Sequence, residues 1–419
     1  MRIILFVGLL PILSAACVAA AEPETQSRGY ETDRPDGRFT SSLGFSHYYI
    51  RSVKPRLAFP MEMPPSDFRD WQSRVRERLF QLMAFPEVPP QPEPQRIWSK
   101  PREGYTLEKW EVFPEPGSVV PVLVLIPEHA APERPVPGVL CFPGSSGTKE
   151  YLAGEDEPHP DLKVPAHADK NRMALEYVRA GMVAVAVDHP SNGELIERHG
   201  DTLIRGADRD KLSRDLFYVG RSYLGLSSFQ KMQVLRWVKT LPIVDAKRIA
   251  ISGHSLGTEP AMVLAVLDAD VAAVVLNDFV HGKREQDLAL APSMDGERLF
   301  MTGGMWHCVP GMWQWFDLPD LVAAIAPRPV LATEGGVKAS LDAVRRAYEL
   351  AGAKDAFSVH YLPKYDSEAK RPHDREPMPE GLLLDDYFRR GNTSPADHYF
   401  KGHLAVPWLG KVLGLESPR

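Results

Sequence analysis

In the stretch "RIAISGHSLGTEPAMVLAVLD" (Arg248–Asp268), an apolar run of strand character breaks at Gly253-His254-Ser255-Leu256-Gly257. A helical pattern follows at once. A turn this tight leaves room only for small residues beside Ser255, which accounts for Gly253 and Gly257. Ser255 then stands at a helix N-terminus, where backbone N–H groups and the helix dipole favour developing negative charge. The plain alternative is a Ser that caps a helix. A strand before and a helix after are what a nucleophile elbow needs, so Ser255 is read as an exposed nucleophile.

The surroundings repeat the strand–helix alternation. "YTLEKWEVF" and "VVPVLVLIP" read as adjacent strands joined by "PEPGS". The runs "VPGVLCFPG", "MVAVAVD", "RIAIS", "VAAVVLND", "RPVLAT" and "FSVHYLP" follow, separated by helical patterns such as "GLSSFQKMQVLRWVKTL" and "LDAVRRAYELAG". Strands alternating with helices imply an α/β fold, with a mostly parallel, eight-stranded twisted sheet and helices on both faces. Dividing the alternation would split the sheet, so residues 104–419 are expected to form one domain. Residues 22–103 are polar and Pro-rich and carry one clear helix, starting near Ser66 with Phe68, Trp71, Val75, Leu79 and Leu82 at helical spacing. They are read as an extension packed on that domain.

Composition narrows the class. The 419 residues are 44% hydrophobic and 25% charged, ordinary for a globular protein with a large core. A net charge of −6 argues against a nucleic-acid partner. Residues 1–21 have the order of a secretory signal: Arg2, an apolar run, then Ala19-Ala20-Ala21 before Glu22. Export to the periplasm or medium is expected, with lipidation at Cys17 as an alternative. No later segment approaches the ~20 apolar residues of a membrane span. Past the signal only Cys141 and Cys308 remain, read as two buried free thiols.

A nucleophile that forms a tetrahedral intermediate needs an oxyanion hole. One donor is expected from the N–H of Leu256, directly after Ser255. The second is expected from "CFPGSSGTKE", where Ser145 follows Gly144. The insert "GGMWHCVPGMWQWFDLPD" holds Trp306, Trp313 and Trp315, which suit either a substrate wall, since sugar rings stack on indoles, or a small satellite core. His307 and Cys308 complete no metal-ligand spacing, so neither metal nor cofactor is expected.

Taken together, "GHSLG", "FPGSSGTKEYLAGE", "VDAKRIAISGHS" and "IAPRPVLATEGG" resemble the α/β-hydrolase superfamily over about residues 104–415. Within it the chain is similar to the secreted bacterial branch of acetyl xylan esterases, dienelactone hydrolases and glucuronoyl esterases. "DLPDLVAAIAPRPVLATEGG" looks like the matching segment of glucuronoyl esterases. Those enzymes place an Arg after the Ser, where this chain has Leu256, and dienelactone hydrolases use Cys where it has Ser255. The resemblance implies the order nucleophile, acid, His, with the His just before the last helix. His398 in "SPADHYFKGHLAVPWL" fits, with His403, one turn inside that helix, as the alternative base. For the acid, Glu334 at the seventh strand's end ranks before Asp278 after the sixth, and Asp342 comes last. The implied activity is a serine esterase acting on short acyl or uronate esters, with a small-molecule or polysaccharide ester as substrate. A peptidase of the prolyl oligopeptidase type and a non-catalytic carbohydrate-binding protein are the competing classes.

Overall fold

The computed structural model describes residues 30–155, 168–199, 202–203, 207–290 and 304–415. The expected signal segment 1–21, Cys17 included, lies outside them. The main sheet has nine strands: β1 (Gln95–Arg102), β2 (Tyr105–Val112), β3 (Val120–Pro127), β4 (Val136–Phe142), β5 (Val183–Val187), β6 (Val244–His254), β7 (Ala273–Asn277), β8 (Val330–Ala332) and β9 (Phe357–Val359). Their spatial order is β1-β2-β3-β5-β4-β6-β7-β8-β9. The first three strands and the β3–β5 contact are antiparallel, and every later pairing is parallel. The fold is that of an α/β hydrolase.

All eight apolar runs are strands, and β1 is the ninth. It pairs antiparallel with β2 at the sheet edge and is mostly exposed, so its sequence, "QRIWSKPR", shows no buried alternation. The central strands β4 and β5 are buried at every position. Their side chains divide by parity: Leu140 and Phe142 join the larger core on one face, Val139 and Cys141 the smaller core on the other.

The extension carries two helices, Ser42–Ser52 and Phe68–Met83. The second starts one residue after a 3-10 turn at Pro65–Asp67. Ser66 does not cap it, because its hydroxyl is bonded to Asp67 Oδ1 at 2.7 Å. Phe68, Trp71, Val75, Leu79 and Met83 are buried, each contributing about 1.5–3 kcal/mol. Polar residues of the same helix close two helix C-termini. Gln72 Nε2 donates to the carbonyls of Ala324 (3.1 Å) and Ala326 (2.6 Å), and Arg76 Nε donates to that of Val266 (2.9 Å). These bonds seat the extension on the helices Thr258–Leu267 and Leu318–Ile325.

Candidate active site

The turn after β6 is as constrained as its sequence suggests. Ser255 has φ +51°, a left-handed conformation that costs a non-glycine residue about 1–2 kcal/mol. A Cβ on Gly253 would stand 2.3 Å from the Gly257 carbonyl oxygen, and one on Gly257 would stand 2.4 Å from that of Phe142. Only glycine fits at either position. A 3-10 turn, Ser255–Gly257, leads into the helix Thr258–Leu267, whose Thr258 hydroxyl donates to the Ser255 carbonyl at 2.7 Å. The first N–H groups of that turn, Leu256 among them, lie beyond the reach of intrahelical acceptors.

Glu334 and His398 come together from distant parts of the chain. His398 Nδ1 and Glu334 Oε2 are 2.7 Å apart, and Glu334 is fully buried. The two glycines after Glu334 have φ +76° and +158°. A Cβ on Gly336 would strike the Val280 carbonyl oxygen at 2.6 Å. Asn277, at the end of β7, ties the His398 loop to the sheet: its Nδ2 donates to Tyr399 O at 3.1 Å, and its Oδ1 accepts from Lys401 N–H at 3.0 Å.

Lys401, which the sequence reading did not single out, is buried against the other Glu334 oxygen at 3.0 Å. Its ammonium also donates to the carbonyls of Tyr399 (2.7 Å) and Asp397. The clue available in the sequence was only its place three residues after His398, since its partner lies 67 positions away. His254, inside the "GHSLG" turn, is the second such residue. Its buried ring lies 4.6 Å from the His398 ring, centroid to centroid.

Burial works to lower the His398 pKa, but the Glu334 hydrogen bond and the charges of Asp278 and Glu334 outweigh it and raise it to about 9. Burial first, then the neighbouring His398 and Lys401, hold His254 well below the ordinary imidazole value.

Ser255, Leu256, Ser145 and His398 line one cavity of about 460 Å³. Asp278 lines it too. Its Oδ1 accepts from Phe279 N–H at 2.8 Å, and burial raises its pKa against the pull of His398. Asp342 is elsewhere, in the helix Lys338–Leu350, where Lys338 and Arg345 pair with it at the surface. His403 is exposed on the last helix, Gly402–Val412.

The three indoles separate. Trp306 lines the cavity and stacks against the Arg209 guanidinium at 5.1 Å. Trp315 does not line it. Arg78 and Arg56 of the extension cover its ring at 3.7 and 4.8 Å, so it belongs to the packing of the extension. Trp313 is half-buried and likewise off the cavity. His307 Nδ1 lies 2.6 Å from the buried Glu259 Oε1, which joins the insert to the helix after Ser255. Among the described residues, the grouped donors close enough to share a metal are His254, Glu334 and His398. There the His398–Glu334 hydrogen bond already engages one donor of each of two members. Cys141 and Cys308 are both free. Cys141 is buried as expected, but Cys308 is exposed, because the insert carries it to the surface. Among the described residues no helix is long and apolar enough to cross a membrane.

A family model described as "Abhydrolase family" matches residues 22–411 and so takes in the extension. A crystal structure from Bacteroides fragilis NCTC 9343, described as "a putative acetyl xylan esterase", is 42% identical, with a TM-score of 0.84, over 92% of this chain and 98% of that one. "Putative hydrolase YtaP" of Bacillus subtilis (strain 168) is 24% identical over 54% of this chain and 72% of its own length. A glucuronoyl esterase from Solibacter usitatus is 16% identical, with a TM-score of 0.48, over 74% of this chain and 94% of that one. This last likeness is too distant to bear on chemistry.

Proposed function

Because this chain belongs to the Abhydrolase family, we propose that it is an exported serine carboxylesterase that removes short acyl groups, or cleaves uronate esters, on polysaccharide. The observation that carries the reading is the 2.7 Å contact between Glu334 and His398 Nδ1, on a cavity that Ser255 also lines. Glu334 orients the imidazole and stabilises its charged form. With Nδ1 facing the carboxylate, Nε2 is the nitrogen left to exchange protons.

In the reaction Ser255 Oγ attacks the ester carbonyl carbon while its proton passes to His398 Nε2. The carbonyl oxygen takes the negative charge and is met by the N–H groups of Leu256 and Ser145. The intermediate collapses, the alcohol leaves with the proton from His398, and an acyl-Ser255 remains. Water, deprotonated by His398, attacks the acyl carbon. Ser255 is released with its proton restored, and the acid is the second product. Trp306 offers the sugar a stacking face. Similarity to the Bacteroides fragilis protein puts acetylated xylan first among the substrates to try.

The test is hydrolysis of p-nitrophenyl acetate and of acetylated xylan by the wild-type protein and by Ser255→Ala. Activity that survives the substitution overturns the assignment. Binding of xylan oligomers without turnover of any ester would favour a carbohydrate-binding protein instead.

A further inference from the structure

Beneath the turn 143–149 lies a buried polar cluster with no part in the steps above. At the end of β5 the chain runs "DHPSN" (Asp188–Asn192), and three of its side chains hold that turn. His189 Nε2 lies 2.7 Å from the Pro143 carbonyl oxygen, Asn192 Nδ2 donates to the Gly147 carbonyl, and Asp188 Oδ1 accepts from Lys149 N–H at 2.6 Å. Within the turn, Gly147 N–H donates to the Gly144 carbonyl at 3.0 Å. Arg209 Nη2 donates to the Ser145 carbonyl at 2.8 Å.

A trans peptide holds its C=O and N–H antiparallel. Fixing the Gly144 carbonyl inside the turn therefore sends the Ser145 N–H out of it, and fixing the Pro143 carbonyl sets the preceding plane. Among the described residues no acceptor takes the Ser145 N–H.

Lys231, on the helix Tyr223–Val238, is buried below His189. Its Nζ donates to the Asp188 carbonyl (3.1 Å) and to Ser227 Oγ (2.9 Å), and lies 3.3 Å from His189 Nδ1. An imidazole that meets a carbonyl at Nε2 and an ammonium at Nδ1 carries its proton on Nε2 and stays neutral. Burial first, then the Lys231 charge, hold His189 well below the usual imidazole pKa. Burial also lowers Lys231, to about 7, but a neutral amine still donates to Nδ1.

We propose that His189, held in one tautomer by Lys231, is a positioning residue that aims the Ser145 N–H at the substrate oxygen before the tetrahedral state forms. The inference rests on the reading of Ser145 as an oxyanion donor. Preorganisation of this kind raises kcat rather than ground-state binding.

The experiment uses the full-length protein, with active sites counted by end-point labelling of Ser255 with a fluorophosphonate. His189→Ala is expected to lower kcat per labelled site about 10- to 100-fold with KM nearly unchanged. A boronic acid, whose tetrahedral adduct occupies the oxyanion site, should weaken by a similar factor, and inhibition by acetate should stay the same. His189→Gln, which keeps an N–H donor, should recover much of the loss. Should His189→Ala fail to fold, Lys231→Met replaces the buried amine with an apolar side chain of similar length and should show the same split, more weakly. Unchanged kcat per site, or a loss confined to Tm and to the labelled fraction, overturns the inference. So does a fall in kcat with no matching fall in boronate affinity. Failure of the parent reading looks different: Ser255→Ala would keep its activity whatever His189 does.

Discussion

His398 and His189 are two imidazoles in opposite electrostatic surroundings: His398 is bonded to a carboxylate at Nδ1, whereas His189 is engaged at both nitrogens, by the Pro143 carbonyl at Nε2 and by Lys231 at Nδ1. His398 meets a carboxylate at Nδ1, opens on the cavity, and is raised to about 9. His189 is wholly buried, meets the Lys231 amine at Nδ1, and is held well below its ordinary value. Burial lowers both rings; the Glu334 hydrogen bond and the nearby carboxylate charges overcome it at His398, whereas at His189 Lys231 adds to it and the ring stays neutral.

The largest test of the contrast removes the two groups that flank His398 in the proposed mechanism. Ser255→Ala should cut kcat for p-nitrophenyl acetate by about 10⁴-fold or more in steady-state assays. Glu334→Gln should cost about 10³- to 10⁴-fold, since the imidazole loses its orienting charge, while circular dichroism stays unchanged. A nearly silent Glu334→Gln would break the comparison and move the acid role to Asp278.

Asp278→Asn sharpens the comparison through pH. The reacting imidazole must be neutral, so kcat/KM should rise with pH along a limb set by His398, near 9 in the wild type. Removing the Asp278 charge should shift that limb to lower pH. An unmoved limb would show that Glu334 alone sets the value. The same shift enters stability. The folded His398 pKa lies above its ordinary 6.5, so this stabilisation is complete below pH 6.5 and is lost as pH rises through about 9. Thermal melts at pH 6 and pH 10 should show it, and Glu334→Gln should diminish it.

Smaller effects separate cavity from packing. Trp306→Ala should raise KM for sugar esters several-fold with little change for p-nitrophenyl acetate. Trp315→Ala should leave kinetics alone and lower Tm, because its ring is covered by Arg78 and Arg56. His403→Ala and Asp342→Asn, both at the surface, should stay within about 0.5 kcal/mol of wild type in stability and change no rate.

Eight of the nine strands could be read from the sequence because burial on one or both faces writes an apolar run. β1 could not, since an exposed edge strand is held by pairing with β2 rather than by burial. The helix Ser42–Ser52 escaped for a related reason: only Gly44 and His47 of it are buried, so no apolar stripe marks it. Ser255 and Glu334 were legible as local exceptions, polar residues beside glycines at strand ends, where the backbone has to turn sharply.

The sequence by itself determined the alternation of strands and helices, and with it the sheet whose strand ends gather the site. It also determined the Ser255 turn, because a Cβ on Gly253 would strike the Gly257 carbonyl only four residues on. Tertiary structure alone decided which carboxylate meets His398, that Lys401 grips the same Glu334, and that Lys231 sits beneath His189. The physical reason is range. Backbone preference and burial periodicity act within a few residues and leave a local pattern. Hydrogen bonds and charges in a buried site join side chains dozens of positions apart, and their strength depends on an interior that exists only once the chain has folded.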